Sequence, residues 1–320
     1  MQTLLSYSDV KTAAERVAGH VRPVAIAPGG PDGEGGGGPE VFFALEFLQH
    51  TGSFKARGAR NFLRAHHEAG TLPAAGVTIA SGGNAGLACA WAAREQGVRA
   101  TVFLPVSAPK VKVDRLRGYG ADVRLVGAEY AEALAACEAF AAESGALASH
   151  AYDHPLIAAG AGTLMEEIRQ RVPGLDTVVV SVGGGGLFAG VATAARHHGV
   201  RTVAVEPENC RALHAALEAG RPVDVPVDSV AADSLGARRA SAAALDAARQ
   251  GDVRSVLVPD AEIVRARRAL WHDHRLAVEH AAATALAALT SPSGGYRPAP
   301  GERVCVVLCG ANTDPSDLAF

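Results

Sequence analysis

Cysteine is scarce in this chain, and its few cysteines are scattered. The 320 residues contain five of them, an odd number with no Cys-x-x-Cys pair, which argues against a disulfide framework and against a zinc site. No apolar run approaches the ~20 residues that a membrane-spanning helix needs, and the N-terminus lacks the charged start and apolar core of a signal peptide. We therefore expect a cytoplasmic protein without a membrane partner.

An excess of charge of either sign is also missing. The chain has 30 Lys and Arg residues and 33 Asp and Glu residues, which gives a formal net charge of −3, and the sequence contains no block of basic residues. This balance gives no electrostatic basis for binding nucleic acid. A hydrophobic content of 48% is ordinary for a globular protein, and the length allows one large domain or two packed ones.

Short apolar segments alternate with helical segments from residue 77 onward. The predicted strands cover residues 77–80, 100–104, 122–126, 177–182, 202–206, 255–258 and 303–309. Helices that stop at glycine separate many of them, and this pattern is typical of βαβ units on a parallel sheet. Residues 207–255 are less regular, and we expect no regulatory module after the last strand. Residues 29–39 are so rich in glycine that they predict a flexible surface loop, to which we assign no role.

Four consecutive glycines, Gly183, Gly184, Gly185 and Gly186, join a predicted strand to a predicted helix. Backbone N–H groups and a helix N-terminus converge on an anion in such a loop. The run from Gly184 to Ala189 also fits the dinucleotide fingerprint, and Glu206 ends the next strand, where a ribose-binding acid belongs. On this segment alone, a dinucleotide, the phosphate of a different cofactor and a turn without a ligand all remain open.

Three further positions are ambiguous when each is taken alone. The loop Ser81-Gly82-Gly83-Asn84-Ala85 suits either a helix-capping turn or a carboxylate cradle. Lys55, which follows Phe54, is either a surface lysine or an imine-forming group. Cys309 ends the last strand, where a parallel sheet faces its ligand, and it is either an inert buried thiol or part of a site.

Together, in this order and spacing, these segments resemble the pyridoxal-phosphate (PLP) enzymes of the tryptophan-synthase β fold, known as fold type II. The serine/threonine dehydratases are the group with the strongest resemblance. The matching motifs lie at residues 51–59, 81–86, 160–163, 183–186, 232–236 and 309–312. The resemblance implies an α/β protein of two domains with parallel twisted sheets: a large PLP-binding domain of residues 1–50 and 149–320, and a small substrate-loop domain of residues 51–148.

The resemblance also implies a role for each candidate residue. Lys55 would hold the cofactor covalently and later carry the Cα proton, and Phe54 would pack near the pyridine ring. Asn84 would hydrogen-bond the ring 3-hydroxyl, and Cys309 would face the pyridine nitrogen. The phosphate would be bound by Gly183, Gly184, Gly185, Gly186 and Leu187. The substrate carboxylate would be bound by Ser81, Gly82, Gly83, Asn84 and Ala85.

The implied activity is an ammonia-lyase reaction that dehydrates a β-hydroxy amino acid such as L-serine or L-threonine. An amino-acid racemase is one alternative, but related racemases carry a second catalytic serine where this chain has Gly82. A β/γ-replacement transferase is the second alternative, and the sequence Ser53-Phe54-Lys55-Ala56-Arg57-Gly58 argues against it. We expect no metal, because Ala212 stands where related racemases have an aspartate. A small amino-acid substrate and a homodimer are implied as well.

Overall fold

The computed structural model describes residues 5–30, 38–292 and 295–318. Most of the predicted flexible loop, residues 31–37, lies outside these ranges. The described strands are β1 (Ile26–Pro28), β2 (Glu40–Ala44), β3 (Val77–Ile79), β4 (Ala100–Leu104), β5 (Asp122–Leu125), β6 (Leu147–Ala148), β7 (Thr177–Ser181), β8 (Arg201–Pro207), β9 (Val253–Val258) and β10 (Arg303–Val307). The described α-helices are α1 (Tyr7–Val17), α2 (Lys55–Glu68), α3 (Asn84–Glu95), α4 (Lys110–Gly118), α5 (Tyr130–Ser144), α6 (Pro155–Arg171), α7 (Gly186–His197), α8 (Ala212–Ala219), α9 (Ala232–Leu235), α10 (Ala242–Gln250), α11 (Asp260–His274) and α12 (His280–Thr290).

The strands form two separate sheets. The larger has the order β1-β2-β10-β7-β8-β9, and all its pairs are parallel except the β1–β2 edge. The smaller has the order β5-β4-β3-β6 and is entirely parallel. Its strands come from one continuous part of the chain, whereas the larger sheet combines strands from both sides of that part. Parallel strands joined by helices confirm the predicted α/β fold.

Each sheet has its own hydrophobic core. The core of the larger sheet includes every residue from Val178 to Val180 and from Val304 to Leu308, all fully buried. A continuous apolar run of this kind is expected for a central parallel strand that helices cover on both faces. The smaller sheet packs mainly against α3 and α5, and α2 joins its core by packing on α3. In the described part of the chain, no helix is long and apolar enough to cross a membrane.

Helices α2, α6 and α7 approach one another closely enough that only glycine fits at some contacts. A Cβ atom on Gly190 of α7 would lie 2.1 Å from the carbonyl oxygen of Ala158 in α6. Because real Cβ atoms do not approach that close, a side chain here would force the two helices apart. Helix α2 packs against α6 and α3, so it lies between the core of the larger sheet and the core of the smaller one.

Three strand ends of the two sheets lead to the segments that the sequence singled out. Strand β3 is followed by the loop that contains Ser81, and β7 by the four-glycine loop. Strand β10 is followed by Cys309. In open α/β folds, ligands bind beyond the carboxyl ends of parallel strands. The topology therefore brings three separate motifs to one region.

Candidate active site

A cavity of about 510 Å³ lies beyond these strand ends. Loops that follow strands of both sheets line it. Every residue predicted for the site from the sequence is among its lining residues: Phe54, Lys55, Ser81, Gly82, Gly83, Asn84, Ala85, Gly183, Gly184, Gly185, Gly186, Leu187 and Cys309. Residues as far apart in sequence as Phe54 and Cys309 therefore share one wall.

Lys55 is the first residue of α2, and its side chain extends into the cavity. Its Nζ donates a hydrogen bond to the carbonyl oxygen of Ala151 at 2.7 Å and lies 4.9 Å from the centre of the Phe54 ring. Burial lowers the pKa of Lys55 to about 8, although the nearby carboxylate of Glu279 acts in the opposite direction. The geometry thus holds an amine that loses its proton far more easily than a solvated lysine does.

The loop after β3 leads directly into α3, which begins at Asn84 with Gly83 as the preceding cap residue. The first N–H groups of any helix have no intrahelical acceptor, and here no side chain of the cap residue accepts from them either. The side chain of Ser81 accepts from the Gly83 N–H at 3.4 Å, which keeps the loop tight. A helix N-terminus that is open to a cavity attracts a carboxylate.

The glycine loop ends at the N-terminus of α7, a further helix start in the cavity wall. Gly185 precedes the helix with φ of 93°, a left-handed backbone that disfavours other residues. The ring of Tyr152 covers the loop so closely that a Cβ on Gly184 would lie 2.3 Å from it. Because the four glycines carry no side chains of their own, their backbone N–H groups can approach an anion on the side of the loop that faces the cavity.

Cys309 lies in the wall, fully covered apart from its contact with the cavity. Burial raises the pKa of its thiol to about 12, so the group is neutral at physiological pH. Its Sγ lies 3.6 Å from the Oγ of Ser181, the last residue of β7. A buried neutral thiol can donate a weak hydrogen bond but cannot supply a proton.

A buried carboxylate that the sequence did not reveal organises the neighbouring polar groups. Glu279 accepts from Asn84 Nδ2 at 2.9 Å, from Ser234 Oγ at 2.9 Å and from the Asn312 N–H at 2.8 Å. Asn312 Nδ2 in turn donates to Asn84 Oδ1 at 2.6 Å. The amide of Asn84 is therefore oriented with its donor side toward Glu279. Glu279 directly precedes α12, and no motif in the sequence marks it.

Glu206 is the last residue but one of β8 and does not line the cavity. Its carboxylate oxygens accept from the backbone N–H groups of Leu213 and His214 at 2.7 and 2.8 Å. It thus caps the first turn of α8. Burial raises its pKa to about 7, and the two backbone hydrogen bonds oppose that rise. Since its oxygens are occupied by the helix, the ribose-binding role that a dinucleotide would require is wrong for this residue.

Comparisons with known proteins agree with this arrangement. Residues 29–310 match the family model described as pyridoxal-phosphate dependent enzyme. The chain belongs to this family. It is 38% identical over 318 residues to an L-threonine ammonia-lyase of Geobacter sulfurreducens, covering 99% of this chain and 78% of that one. It is also 38% identical over 287 residues to a rat protein named serine dehydratase-like, covering 86% of each.

Solved structures of the same fold include a maize serine racemase. It superimposes with a TM-score of 0.89 and 27% identity, covering 99% of this chain and 96% of that one. The predicted resemblance to the fold type II dehydratases is confirmed, and PLP is the cofactor of this enzyme. The dinucleotide alternative for the glycine loop is therefore wrong.

Three features of the cavity fit PLP. An amine whose pKa is lowered suits covalent attachment to the cofactor aldehyde. A glycine-lined helix N-terminus suits its phosphate, and a neutral thiol suits a ring nitrogen that is to stay unprotonated. No grouping of three or more His, Cys, Asp or Glu side chains suitable for a metal ion is present among the described residues.

Replacement of Gly185 by alanine is expected to weaken PLP binding by about tenfold or more. The new Cβ would lie 2.3 Å from the Cβ of Ala244, and the left-handed backbone adds strain of about 1–3 kcal/mol. Equilibrium titration of the apoenzyme with PLP measures the affinity. Gly118→Ala is the matched control, because no heavy atom lies within 4 Å of its added Cβ and its backbone is not left-handed. Equal affinities for the two variants would contradict a tight phosphate cradle.

Proposed function

We propose that this enzyme dehydrates a β-hydroxy amino acid, such as L-serine or L-threonine, to a 2-oxo acid and ammonia. One observation carries the proposal: the amine of Lys55, the open N-terminus of α3 and the glycine loop at α7 face a single cavity. The first is suited to a covalent bond with the cofactor, the second to a substrate carboxylate and the third to a phosphate. Relatives named for threonine and serine support the substrate class.

In this proposal the chain holds the cofactor at five points. Lys55 would bind its aldehyde carbon, and Phe54 would pack near its ring. The donor side of the Asn84 amide, which Glu279 orients, would meet the ring 3-hydroxyl, and Cys309 would meet the ring nitrogen. The phosphate would be bound by the loop formed by Gly183, Gly184, Gly185, Gly186 and Leu187. Bound PLP supplies the electron sink that makes the Cα–H bond of the substrate acidic.

The substrate carboxylate binds at the start of α3. The loop Ser81-Gly82-Gly83-Asn84-Ala85 offers N–H groups and the positive end of the helix dipole there. Lys55 takes the Cα proton, and its lowered pKa suits that task at physiological pH. The β-hydroxyl leaves with one proton as water, so that the loss of the Cα proton to Lys55 is balanced over the turnover, and hydrolysis of the released enamine gives the 2-oxo acid and ammonia.

We propose two domains: a large one of residues 1–50 and 149–320, and a small one of residues 51–148. Two side-chain contacts of α4, which belongs to the small domain, reach the large domain across the cavity. Arg115 Nη2 donates to Asn312 Oδ1 at 2.6 Å, and Lys112 Nζ lies 3.3 Å from Asp233 Oδ1. All four residues line the cavity. These contacts would restrain the two domains relative to each other over the substrate.

The uptake of PLP by the apoenzyme is expected to accelerate with rising pH and to level off above about 8. Only the uncharged amine attacks the aldehyde, and burial lowers the pKa of Lys55 from 10.5 to about 8. At pH 7 this makes the reactive fraction roughly 300-fold larger than for a solvated lysine. Stopped-flow absorbance measures the rate. Pyridoxine phosphate, which lacks the aldehyde, serves as the control and should bind without this pH dependence. A midpoint near 10.5 would contradict the assignment.

A racemase is the alternative to a dehydratase on this fold. Gly82 lines the cavity at the position where the resemblance places the second catalytic serine of the racemases, and glycine has no side chain that could transfer a proton. Without a base on the opposite face of the substrate, a proton cannot return there efficiently. Dehydration is therefore favoured over inversion.

The proposal also covers the assembly and the compartment. We place the enzyme in the cytoplasm, because all five of its cysteines are buried free thiols, as a reducing compartment allows. A homodimer is the proposed assembly, since two-fold dimers are the commonest closed oligomers. Light scattering coupled to gel filtration measures the molar mass directly.

The experiment that tests the function combines the PLP-loaded enzyme with L-serine or L-threonine. We expect 2-oxo acid and ammonia in equal amounts, with little D-amino acid, measured by a dehydrogenase-coupled assay and by chiral chromatography. Accumulation of the D-isomer without 2-oxo acid would replace the dehydratase by a racemase. Incorporation of an added thiol at Cβ, again without 2-oxo acid, would replace it by a transferase.

A further inference from the structure

The hydroxyl of Ser181 has no function in the mechanism described so far. Ser181 is the last residue of β7, is 4% exposed and lines the cavity directly before the glycine loop. In the part of the chain that the structure describes, its Oγ has one side-chain hydrogen-bond partner, the Sγ of Cys309, at 3.6 Å. A buried hydroxyl usually donates a hydrogen bond, because burying it without an acceptor costs free energy.

The direction of this hydrogen bond follows from counting donors. Ser181 and Cys309 each carry one hydrogen, and each can also accept. If the thiol hydrogen points into the cavity toward a ring nitrogen, Sγ can only accept from Ser181. If the thiol instead donated to Ser181 Oγ, it would offer the ring nitrogen no hydrogen. Only the first arrangement satisfies both side chains and the nitrogen.

We propose that Ser181 is a positioning residue that donates to Cys309 Sγ and thereby directs the thiol hydrogen toward the cofactor ring nitrogen. This inference rests on the proposed function, in which Cys309 faces that nitrogen. Ser181 touches the thiol and not the substrate, so its effect on the reaction passes through Cys309.

Two physical consequences follow from such a chain of hydrogen bonds. A donor that is itself hydrogen-bonded becomes polarised, and this strengthens the bond that it donates. At the same time both groups stay neutral, because the thiol keeps its proton with a pKa of about 12. Ser181 therefore strengthens the hydrogen bond from the Cys309 thiol to the ring nitrogen, and the nitrogen is not protonated. Removal of the hydroxyl leaves the thiol free to rotate away.

The test uses the variants Ser181→Ala, Ser181→Thr and Cys309→Ala, and the double variant of the two alanine changes. PLP affinity is measured by titration of each apoenzyme, and the visible absorbance of each loaded enzyme is recorded against pH. Thermal unfolding of each apoenzyme shows that the fold is retained.

We expect Ser181→Ala to weaken PLP binding by about threefold to tenfold, the value of one hydrogen bond between neutral groups. It should also shift the pH dependence of the visible band and lower kcat more than it changes KM. Threonine, which keeps the hydroxyl, should restore the wild-type values. In the Cys309→Ala background, loss of the Ser181 hydroxyl should have no further effect, because its partner is gone.

Either of two results would overturn the inference while the proposed function remains. One is a Ser181→Ala enzyme with wild-type affinity and spectrum. The other is an equal effect of Ser181→Ala with and without Cys309, which would make the hydroxyl independent of the thiol. If Cys309→Ala leaves affinity and spectrum unchanged, the placement of the ring nitrogen is wrong and the inference falls with it. Formation of 2-oxo acid by the wild-type enzyme tests the dehydratase separately.

Discussion

Replacement of Lys55 by alanine is expected to lower 2-oxo acid formation by at least about 10³-fold. The change removes the covalent anchor of the cofactor and the base for the Cα proton at once. The visible absorbance of the bound cofactor should shift as well, because the covalent bond is lost even where PLP still binds. Steady-state assays with L-serine and absorbance spectra of the loaded variant measure both effects.

Lys110→Ala is the matched control for this experiment. Lys110 lies on α4 with its side chain 87% exposed, pairs with Asp114 one turn later and does not line the cavity. Its activity and spectrum should equal those of the wild type. If Lys55→Ala retained the wild-type spectrum and turnover, another amine would have to be the anchor.

Replacement of Arg57 by methionine is expected to lower the free energy of unfolding by about 3–5 kcal/mol. Arg57 is fully buried two residues after Lys55, and its Nε donates to Glu46 Oε1 at 2.6 Å. Its Nη1 donates to Glu167 at 2.6 Å and to Thr163 at 3.2 Å. The substitution leaves the buried carboxylate of Glu46 without its cation. Urea-induced unfolding of the apoenzyme measures the loss.

Two further variants separate charge burial from packing. Arg16→Ala breaks a partly exposed ion pair with Glu68 and should cost about 0–1 kcal/mol. Adding Glu46→Leu to Arg57→Met removes both charges of the fully buried pair and leaves only the partly exposed Glu167 without its cation, so it should recover most of the lost stability. A single variant that unfolds no more easily than Arg16→Ala would show that water reaches Glu46 and replaces its partner.

The predicted elements were most accurate where the local pattern was strong. The predicted strands 100–104 and 177–182 correspond to β4 and β7, because apolar runs that end at turn residues are local signals. Helices α8 and α10 lie in residues 207–255, which the sequence left less regular, and α2 was not predicted at all. Arg57, Arg60 and Asn61 are buried in α2, so its polar residues concealed the face that packs inward.

The contacts that complete the site could not be predicted, because they join residues far apart in sequence. Ser181 meets Cys309 across 128 positions, and Asn84 meets Glu279 across 195. Nothing in the local sequence of Glu279 indicates three hydrogen-bond donors around it. The cap that Glu206 provides for α8 was likewise hidden by its fit to a dinucleotide pattern.

The sequence by itself determined the α/β class, the cofactor family and the residues around the cavity. It could do so because motifs that are ambiguous one by one resemble, in their order and spacing, those of the fold type II dehydratases. Only the tertiary structure decided which way each side chain points, which carboxylates are occupied by helix ends or arginine, and how a serine and a thiol come together. Those outcomes depend on the order of strands in a sheet and on close helix packing, and both are set by contacts across the whole chain.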